Sequence, residues 1–241
     1  MKANLLSLVT IAALSFSLIS CAVSKSSDGR GMNPTIYFKP TIHQDKSNCS
    51  ANDLRDLLSP KGRTLATLCS KDYDQCLLQG SCFVDDGTKI SSYNYHSTKE
   101  GVPRFIDVEL KECPYGYGVN GSCLDPYFSV AADLSIYQVG DVLFIPRLVG
   151  AALPNGEIHD GYVIVRDTGG AIVGANRFDF FTGFYDHRAK ENTLARLGFS
   201  DPRNHFEFRL ATAEEAQAVR VRRNYPRLKQ DVLEEGIARS L

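Results

Sequence analysis

Four short segments of alternating apolar and polar residues constrain the fold of this 241-residue chain more than any other feature. They span residues 105–110, 141–145, 162–166 and 206–210, and Gly, Pro and Asn residues separate them. Alternation with a period of two is typical of half-buried β-strands, and the separating residues favour turns. Closely spaced short strands of this kind predict a mainly β fold, with a small barrel over residues 101–210.

The regions on either side of the predicted barrel have a different composition. Residues 36–100 contain four cysteines and few long apolar runs, which predicts a disulfide-rich N-terminal subregion. Within it, the apolar spacing of residues 51–58 predicts a short helix that ends before Pro60. Residues 211–241 are predicted to form a C-terminal helical tail, because residues 212–215 (Thr-Ala-Glu-Glu) have the pattern of a capping box.

The first 21 residues have the pattern of an export signal. Lys2 supplies a positive charge, and residues 5–14 form an apolar run that is too short for a stable membrane span. The sequence Leu-Ile-Ser-Cys at residues 18–21 resembles a bacterial lipobox, in which the cysteine thiol receives a lipid and becomes the new N-terminus. The alternative is an ordinary signal peptide that happens to contain a cysteine.

The lipobox predicts where the protein is located. We expect a lipoprotein signal peptide over residues 1–20, lipidation of Cys21 and a flexible tether over residues 21–35. Residue 22 is Ala rather than Asp, which in the enteric sorting pattern favours the outer membrane. The expected location is the bacterial cell envelope, with the protein anchored by lipid and facing the periplasm.

An even number of cysteines is left after Cys21 is assigned to the lipid. An exported protein with six cysteines is predicted to contain three disulfides, with fifteen possible connectivities. We expect Cys113 to pair with Cys123, because this crosslink would hold the glycine-rich segment between them. Zinc is the competing interpretation, but no CxxC pair is present and no metal is expected. The six residues are Cys49, Cys69, Cys76, Cys82, Cys113 and Cys123.

The charge balance excludes one class of partner. The chain has 27 basic and 28 acidic residues, and its formal net charge is −1. Proteins that bind nucleic acid through its phosphates carry a basic surface, which this composition does not indicate. Nucleic-acid binding is therefore not expected.

Two aspartates in residues 167–183 have surroundings that predict different protonation states. Asp167 precedes Gly169 and Gly170, which allow a positive φ and offer backbone donors, so its carboxylate is expected to stay ionised. Asp179 has a phenylalanine on each side, and lost hydration there is expected to raise its pKa. A carboxyl group with a raised pKa can act as a general acid near neutral pH. The alternative is that Asp167 caps a turn and Asp179 faces solvent.

The sequence around these aspartates resembles a known family. Residues 167–174 read D-T-G-G-A-I-V-G and residues 178–183 read F-D-F-F-T-G, which is similar to the signature of the three-aspartate (3D) domain. Residues 130–133 and 139–146 are similar to two further strands of that domain. The family domain is the double-psi β-barrel of membrane-bound lytic transglycosylase A and related muralytic proteins. The resemblance covers residues 125–185 and implies a six-stranded double-psi β-barrel.

The resemblance also implies a reaction and the residues that perform it. The three family aspartates correspond to Asp133, Asp167 and Asp179. The implied reaction cleaves the β-1,4 bond between N-acetylmuramic acid and N-acetylglucosamine in peptidoglycan. Asp179 would protonate the leaving oxygen and then, as a carboxylate, remove the proton from the muramic C6 hydroxyl to close a 1,6-anhydro ring. Asp167 would orient the site, and a structural role is favoured for Asp133.

Three further residues are candidates for binding substrate or supporting the site, namely Gly169, Gly170 and Arg177. The family commonly has Lys where this chain has Val173, which removes a cation that could stabilise negative charge. Residues 36–100 and the C-terminal helix are smaller than the family's second domain, so a shorter cleft is expected. No cofactor is implied.

Other functions remain open at this stage. A non-catalytic peptidoglycan-binding module built on the same barrel and a hydrolase of the same bond are the main alternatives. His159-Asp160 and Asp186-His187 could suggest a metallopeptidase, although the spacing is not that of a zinc site. Several tyrosines could stack on sugar rings. They are Tyr93, Tyr95, Tyr115, Tyr117 and Tyr127.

Overall fold

The computed structural model describes residues 31–44, 49–201 and 203–239, and it shows a mainly β protein with two six-stranded sheets. The predicted signal peptide, Cys21 and most of the tether lie outside the described residues. The strands are β1 (Asn33–Tyr37), β2 (Thr41–His43), β3 (Leu54–Leu58), β4 (Thr64–Cys69), β5 (Ser81–Asp85), β6 (Ile90–Lys99), β7 (Val102–Asp107), β8 (Ser129–Ala131), β9 (Val142–Phe144), β10 (Tyr162–Asp167), β11 (Arg177–Phe181) and β12 (Arg209–Leu210). The helices are α1 (Ser70–Gln79), α2 (Thr193–Arg196), α3 (Ala213–Arg222) and α4 (Gln230–Arg239).

The first sheet has the strand order β1-β11-β8-β10-β9-β12 and is curled. The β1–β11 and β8–β10 pairs are parallel, whereas the other three pairs are antiparallel. A bridge between Met32, just before β1, and Phe206, shortly before β12, brings the two edges of the sheet together. The predicted strands at 141–145 and 162–166 are confirmed as β9 and β10.

Alternation along the strands separates two faces of the first sheet. Val130, Val165, Phe178 and Phe180 are buried in one large core cluster inside the curl. Residues between them in the strands point to the outer face, as successive side chains of a strand must. Ala131 and Phe181 belong to a second buried cluster on that outer face.

The second sheet has the strand order β2-β5-β6-β7-β3-β4, and α1 packs against it. Its core includes Leu57, Leu68 and Phe105. The three predicted disulfides are present, and the predicted Cys113–Cys123 pair is confirmed. The other two bonds join Cys49 to Cys69 and Cys76 to Cys82, and both lie in this part of the molecule.

The predicted helix over 51–58 is wrong. Only Ala51–Asp53 forms a 3-10 turn, and Leu54–Leu58 is strand β3, paired with β4 and β7. The five-residue strand satisfies its backbone through partners elsewhere in the chain, and this tertiary pairing overrides a local helical pattern. Two predicted boundaries also differ from the structure. Strand β7 lies in the segment that is predicted as barrel, but it belongs to the second sheet. Strand β1 belongs to the first sheet, although it begins within the predicted tether.

The C-terminal tail packs onto the first sheet through buried charges. Asp125 accepts hydrogen bonds from Arg223, at 2.7 and 2.9 Å, and lies 3.7 Å from Arg166 of β10. The predicted capping box is confirmed, because Thr212 accepts from the Glu215 amide while Glu215 accepts from the Thr212 amide. Among the described residues, no helix is long and apolar enough to cross a membrane.

Candidate active site

A cleft of about 760 Å³ lies between the two sheets. It contains two of the three family aspartates, Asp167 and Asp179. The outer face of the first sheet contributes Tyr37, Ala131, Asp167 and Asp179, together with the loop after β10. The opposite wall comes from the end of α1 and from β6 and β7 of the second sheet. The predicted barrel and the disulfide-rich region therefore meet at the same cavity.

Asp167 and Asp179 flank one small residue of the central strand β8. Both align with Ala131, Asp167 through the parallel β10 pairing and Asp179 through the antiparallel β11 pairing. Because β8 lies between β10 and β11, the backbones of the two aspartates are two strand spacings apart, or about 10 Å. The methyl side chain of Ala131 leaves the space between the two carboxyl groups open to the cleft.

A β-bulge turns Asp167 towards the cleft. The register of β10 against β8 shifts between Val165 and Asp167, with Arg166 as the extra residue. Without the bulge, Asp167 would share the inward face of Val165, which is fully buried in the core. Arg166 points away from the cleft and donates to the carbonyls of Cys123 and Pro226 in the C-terminal region.

Strand β1 supplies a hydroxyl donor to each aspartate. Thr35 Oγ1 donates to Oδ1 of Asp179 at 2.5 Å, and the Tyr37 hydroxyl donates to Oδ2 of Asp167 at 2.9 Å. The two donors lie two residues apart and therefore share the outer face of the strand. Neither residue is predicted by the sequence motifs above, although the alternation of Thr35, the partly buried Ile36 and Tyr37 is a strand signal that could have indicated them.

Arg177 supports Asp179 through Thr35. Its Nη1 donates to Thr35 Oγ1 at 2.7 Å and to the carbonyl of Phe178 at 2.9 Å. The Thr35 hydroxyl thus accepts from the cation and donates to the carboxylate, which uses both of its hydrogen-bonding roles. The structure therefore places the predicted candidate Arg177 behind Asp179, where it is not part of the cleft lining.

The two aspartates differ in how many oxygens are already engaged. Both oxygens of Asp167 accept hydrogen bonds, Oδ1 from the Thr168 amide and Oδ2 from Tyr37. Asp179 Oδ1 accepts from Thr35, whereas its Oδ2 has no hydrogen-bond partner in the described part of the chain. Asp179 therefore has a free carboxyl oxygen in the cleft.

Burial raises the pKa of both carboxyl groups. The pKa of Asp167 rises to about 6, chiefly because of burial, although the Thr168 amide and the Tyr37 hydroxyl act in the opposite direction. The pKa of Asp179 is also raised by burial, against the lowering effects of Thr35 and Arg177. The expectation of a raised pKa for Asp179 is confirmed. The two donors of Asp167 do not offset its loss of hydration, but a carboxyl group with a pKa of about 6 is still mostly ionised at pH 7, as expected for this residue.

The remaining signature residues support the loops around the cleft. Asp133 accepts from the amides of Gly174 and Ser135 at 2.7 and 2.9 Å, and these bonds lower its pKa. It joins the end of β8 to the loop before β11. Gly169 and Gly170 line the cleft, and neither uses the positive φ that glycine allows; in this loop the left-handed glycine is Gly174, with φ 99°.

Val173, His159 and His187 lie outside the cleft lining. The Val173 side chain is 72% exposed on the loop that precedes β11. His159 is buried, where its Nδ1 accepts from the Gly161 amide and its ring stacks on Phe128. No group of three or more metal-ligating side chains occurs in residues 31–44, 49–201 and 203–239.

Two of the five tyrosines considered for stacking on sugar rings reach the cleft. Tyr95 and Tyr117 line it, whereas Tyr93, Tyr115 and Tyr127 are buried. The Tyr95 hydroxyl pairs with Thr98 Oγ1, so its ring is held at the second-sheet wall.

Comparison with known proteins supports the fold. The family model described as the 3D domain matches residues 128–193. The crystal structure of the membrane-bound lytic murein transglycosylase from Agrobacterium tumefaciens matches with a TM-score of 0.51 and 16% identity, covering 76% of this chain and 75% of that chain. Escherichia coli MltA with bound chitohexaose matches with a TM-score of 0.49 and 18% identity, covering 76% and 72%. No curated protein matches the sequence. The chain therefore contains a 3D domain, and its fold resembles that of the Agrobacterium tumefaciens membrane-bound lytic murein transglycosylase.

Proposed function

We propose that this protein cleaves peptidoglycan glycan strands at the β-1,4 bond between N-acetylmuramic acid and N-acetylglucosamine, as a lytic transglycosylase. The observation that carries the proposal is the free Oδ2 of Asp179, on a carboxyl group with a raised pKa in the cleft. The first sheet, which contains β8, β10 and β11, is proposed to have the double-psi connections of the 3D family. The match to the 3D family model supports both statements.

A single carboxyl group can perform both proton transfers. Protonated Asp179 gives its proton to the glycosidic oxygen as the bond to the muramic C1 breaks. The resulting carboxylate takes the proton of the muramic C6 hydroxyl, whose oxygen bonds to C1 and closes the 1,6-anhydro ring. The residue ends protonated, as it began, and no water is consumed, in contrast to the two-carboxylate glycosidases.

The neighbours of Asp179 tune this proton transfer. Burial raises the pKa of Asp179 and so favours its acid form, and the Thr35 hydroxyl stabilises the carboxylate formed after the first transfer. Asp167, with both oxygens engaged, orients the site through Tyr37 and the loop after β10. Asp133 has a structural role in holding that loop.

The location proposed for the protein follows from the N-terminal sequence alone. A lipid on Cys21 would anchor the protein to the bacterial envelope, with the outer membrane favoured by Ala22. The residues between Cys21 and β1 would then tether the cleft within reach of the peptidoglycan layer.

Digestion of purified sacculi tests the proposed function. Mass analysis of the released muropeptides is expected to show 1,6-anhydromuramic ends. Reducing ends would identify a hydrolase of the same bond instead. Retention on sacculi without any release would identify a binding module, and absence of both release and retention would overturn the proposal.

A further inference from the structure

A disulfide-closed turn forms part of the cleft wall opposite the aspartates. The bond between Cys76 and Cys82 encloses five residues, 77–81, and all five line the cleft. Both cysteines are fully buried in the core of the second sheet. The turn is therefore attached at both ends to the interior of the protein.

Hydrogen bonds hold the same turn against both sheets. Gly80, with φ 72°, ends α1, and its carbonyl accepts from the Tyr95 amide at 2.7 Å. Gln79 Oε1 accepts from the Phe38 amide at 3.0 Å, directly after β1. Because Tyr37 of β1 donates to Asp167, the turn is connected through one strand to the aspartate wall.

Leu78 projects from this rigid turn into solvent. Its side chain is 82% exposed, the largest value among the exposed large hydrophobic residues of the described chain. An exposed leucine side chain contributes almost nothing to the stability of the fold, and single exposed leucines are common on protein surfaces. Leu78 differs in lying in the wall of a cleft, on a turn held by a disulfide, by the Gly80 carbonyl and by the side chain of Gln79. Its apolar surface is available to a bound ligand.

The charge of the lining selects the kind of ligand. Asp167 and Asp179 are the only Asp, Glu, Lys or Arg residues in the described lining of the cleft, and the second-sheet wall contributes none. The second-sheet wall includes His96 but no carboxylate, lysine or arginine, and such a wall suits an uncharged polymer better than an acidic or basic peptide. N-acetylated sugars present such surfaces, because their C–H faces and acetamido methyl groups are apolar.

We propose that Leu78 is a substrate-contacting residue that packs on the apolar part of an N-acetylated sugar unit bound across the cleft from Asp179. This inference rests on the proposed function and adds a binding residue on the second sheet. The Cys76–Cys82 bond and Gln79 act as positioning elements that hold the side chain at the right distance from the aspartate wall.

Glycan binding by matched exposed-residue variants tests this role. The probe is a set of peptide-free glycan strands prepared from sacculi, and Asp179→Asn serves as the background that prevents turnover. Leu78→Ala is expected to weaken binding about fivefold to tenfold, because it removes most of one apolar contact. Leu78→Met keeps the apolar contact and is expected to bind within about twofold of the parent. Val221→Ala removes a residue that is 69% exposed on α3, away from the cleft, and is expected to change nothing.

The outcomes separate this inference from the proposed function. Equal affinity of Leu78→Ala and its parent for the glycan strands would overturn the role of Leu78 while leaving the transglycosylase proposal intact. The same loss in Val221→Ala would also overturn it, because the effect would then not belong to the cleft. Failure of the parent to bind any glycan strand would overturn both proposals.

Discussion

Thr35 and Asp179 face each other across the parallel strands β1 and β11, and the threonine hydroxyl donates to the carboxylate at 2.5 Å. The same hydroxyl accepts from Arg177, so a cation two residues before Asp179 in the sequence reaches it through a strand 144 residues away. This relay opposes the effect of burial on the pKa of Asp179. The pKa of Asp179 is therefore raised less than burial alone would raise it.

Removal of the Thr35 hydroxyl should move the pH dependence of the reaction. Thr35→Val keeps the shape of the side chain and removes the hydrogen bond that lowers the pKa of Asp179. Because an acid with a higher pKa stays protonated to higher pH, the falling limb of the pH–rate profile is expected to shift upwards. The measurement is the initial rate of anhydro-muropeptide release between pH 4 and 9, with values chosen at about half-unit steps.

Thr35→Ser is the matched control for this shift. Serine retains the hydroxyl that accepts from Arg177 and donates to Asp179, so its profile is expected to overlay that of the parent. An unshifted profile for Thr35→Val would show that the relay does not reach the reacting carboxyl group. A lower rate at every pH without a shift would indicate a structural role for Thr35.

Replacement of the two aspartates by asparagine should separate a catalytic from an orienting role. Asp179→Asn removes the exchangeable proton, and the rate of glycan cleavage is expected to fall by about 10²- to 10⁴-fold. Asp167→Asn keeps an acceptor for Tyr37 and is expected to lose less. Activity is measured as anhydro-muropeptide release, and binding as co-sedimentation with sacculi.

Thermal unfolding of the same variants distinguishes the loss of a catalytic group from the loss of the folded structure. Burial raises the pKa of Asp167 from 3.8 to about 6, so its ionisation lowers the free energy of unfolding between about pH 4 and 6, and this loss is complete at higher pH. At pH 7 both variants are expected to unfold at or above the parent's Tm. A large drop in Tm for Asp179→Asn would mark the carboxylate as structural, and the binding-module alternative would then be favoured.

The local features of this site could be predicted from the sequence. Strands β9 and β10 follow from alternation, and the capping box at Thr212 follows from four consecutive residues. The raised pKa of Asp179 was also expected, but for a different reason. Phe178 and Phe180 point to the opposite face of β11, so desolvation comes from the cleft wall around Asp179 rather than from its neighbours in sequence.

The long-range features could not be predicted in this way. The bulge at Arg166 depends on carbonyls of the C-terminal tail that accept its hydrogen bonds, about 60 residues away. The donors Thr35 and Tyr37 come from the edge strand β1, which pairs with β11, a strand about 140 residues further along the chain. Local periodicity contains no information about either pairing, and the position of Asp167 in the cleft depends on both.

A serine at residue 21 tests the proposed lipid anchor. Cys21→Ser removes the only thiol that the lipobox pattern could modify, so the protein is expected to be uncleaved or soluble in the periplasm. Fractionation of cells into soluble and membrane material is the measurement, and Ser24→Ala, beyond the lipobox, serves as the control. Unchanged membrane association of Cys21→Ser would contradict the lipoprotein assignment.

Lys39 should make the stability of the fold depend on pH above neutrality. This lysine lies in the link between β1 and β2, fully buried, with its amine 2.6 Å from Ser92 Oγ and 4.3 Å from the centre of the Phe83 ring. No carboxylate forms an ion pair with it within the described residues. Burial lowers its pKa from 10.5 to about 7. The cost of burying the charge is therefore not offset by a partner.

The sign of the effect follows from proton binding in the two states. Between about pH 7 and 10 the unfolded chain holds a proton on Lys39 that the folded protein lacks, so the free energy of unfolding should rise with pH. The gain by pH 10 is on the order of 4 kcal/mol. Lys39→Met should abolish this rise, whereas Lys71→Met, on the exposed side of α1, should keep it. Denaturant unfolding at each pH gives the difference between variant and parent, which cancels the contribution of tyrosines near pH 10. Parallel curves for Lys39→Met and the parent would mean that the buried amine keeps its proton throughout this range.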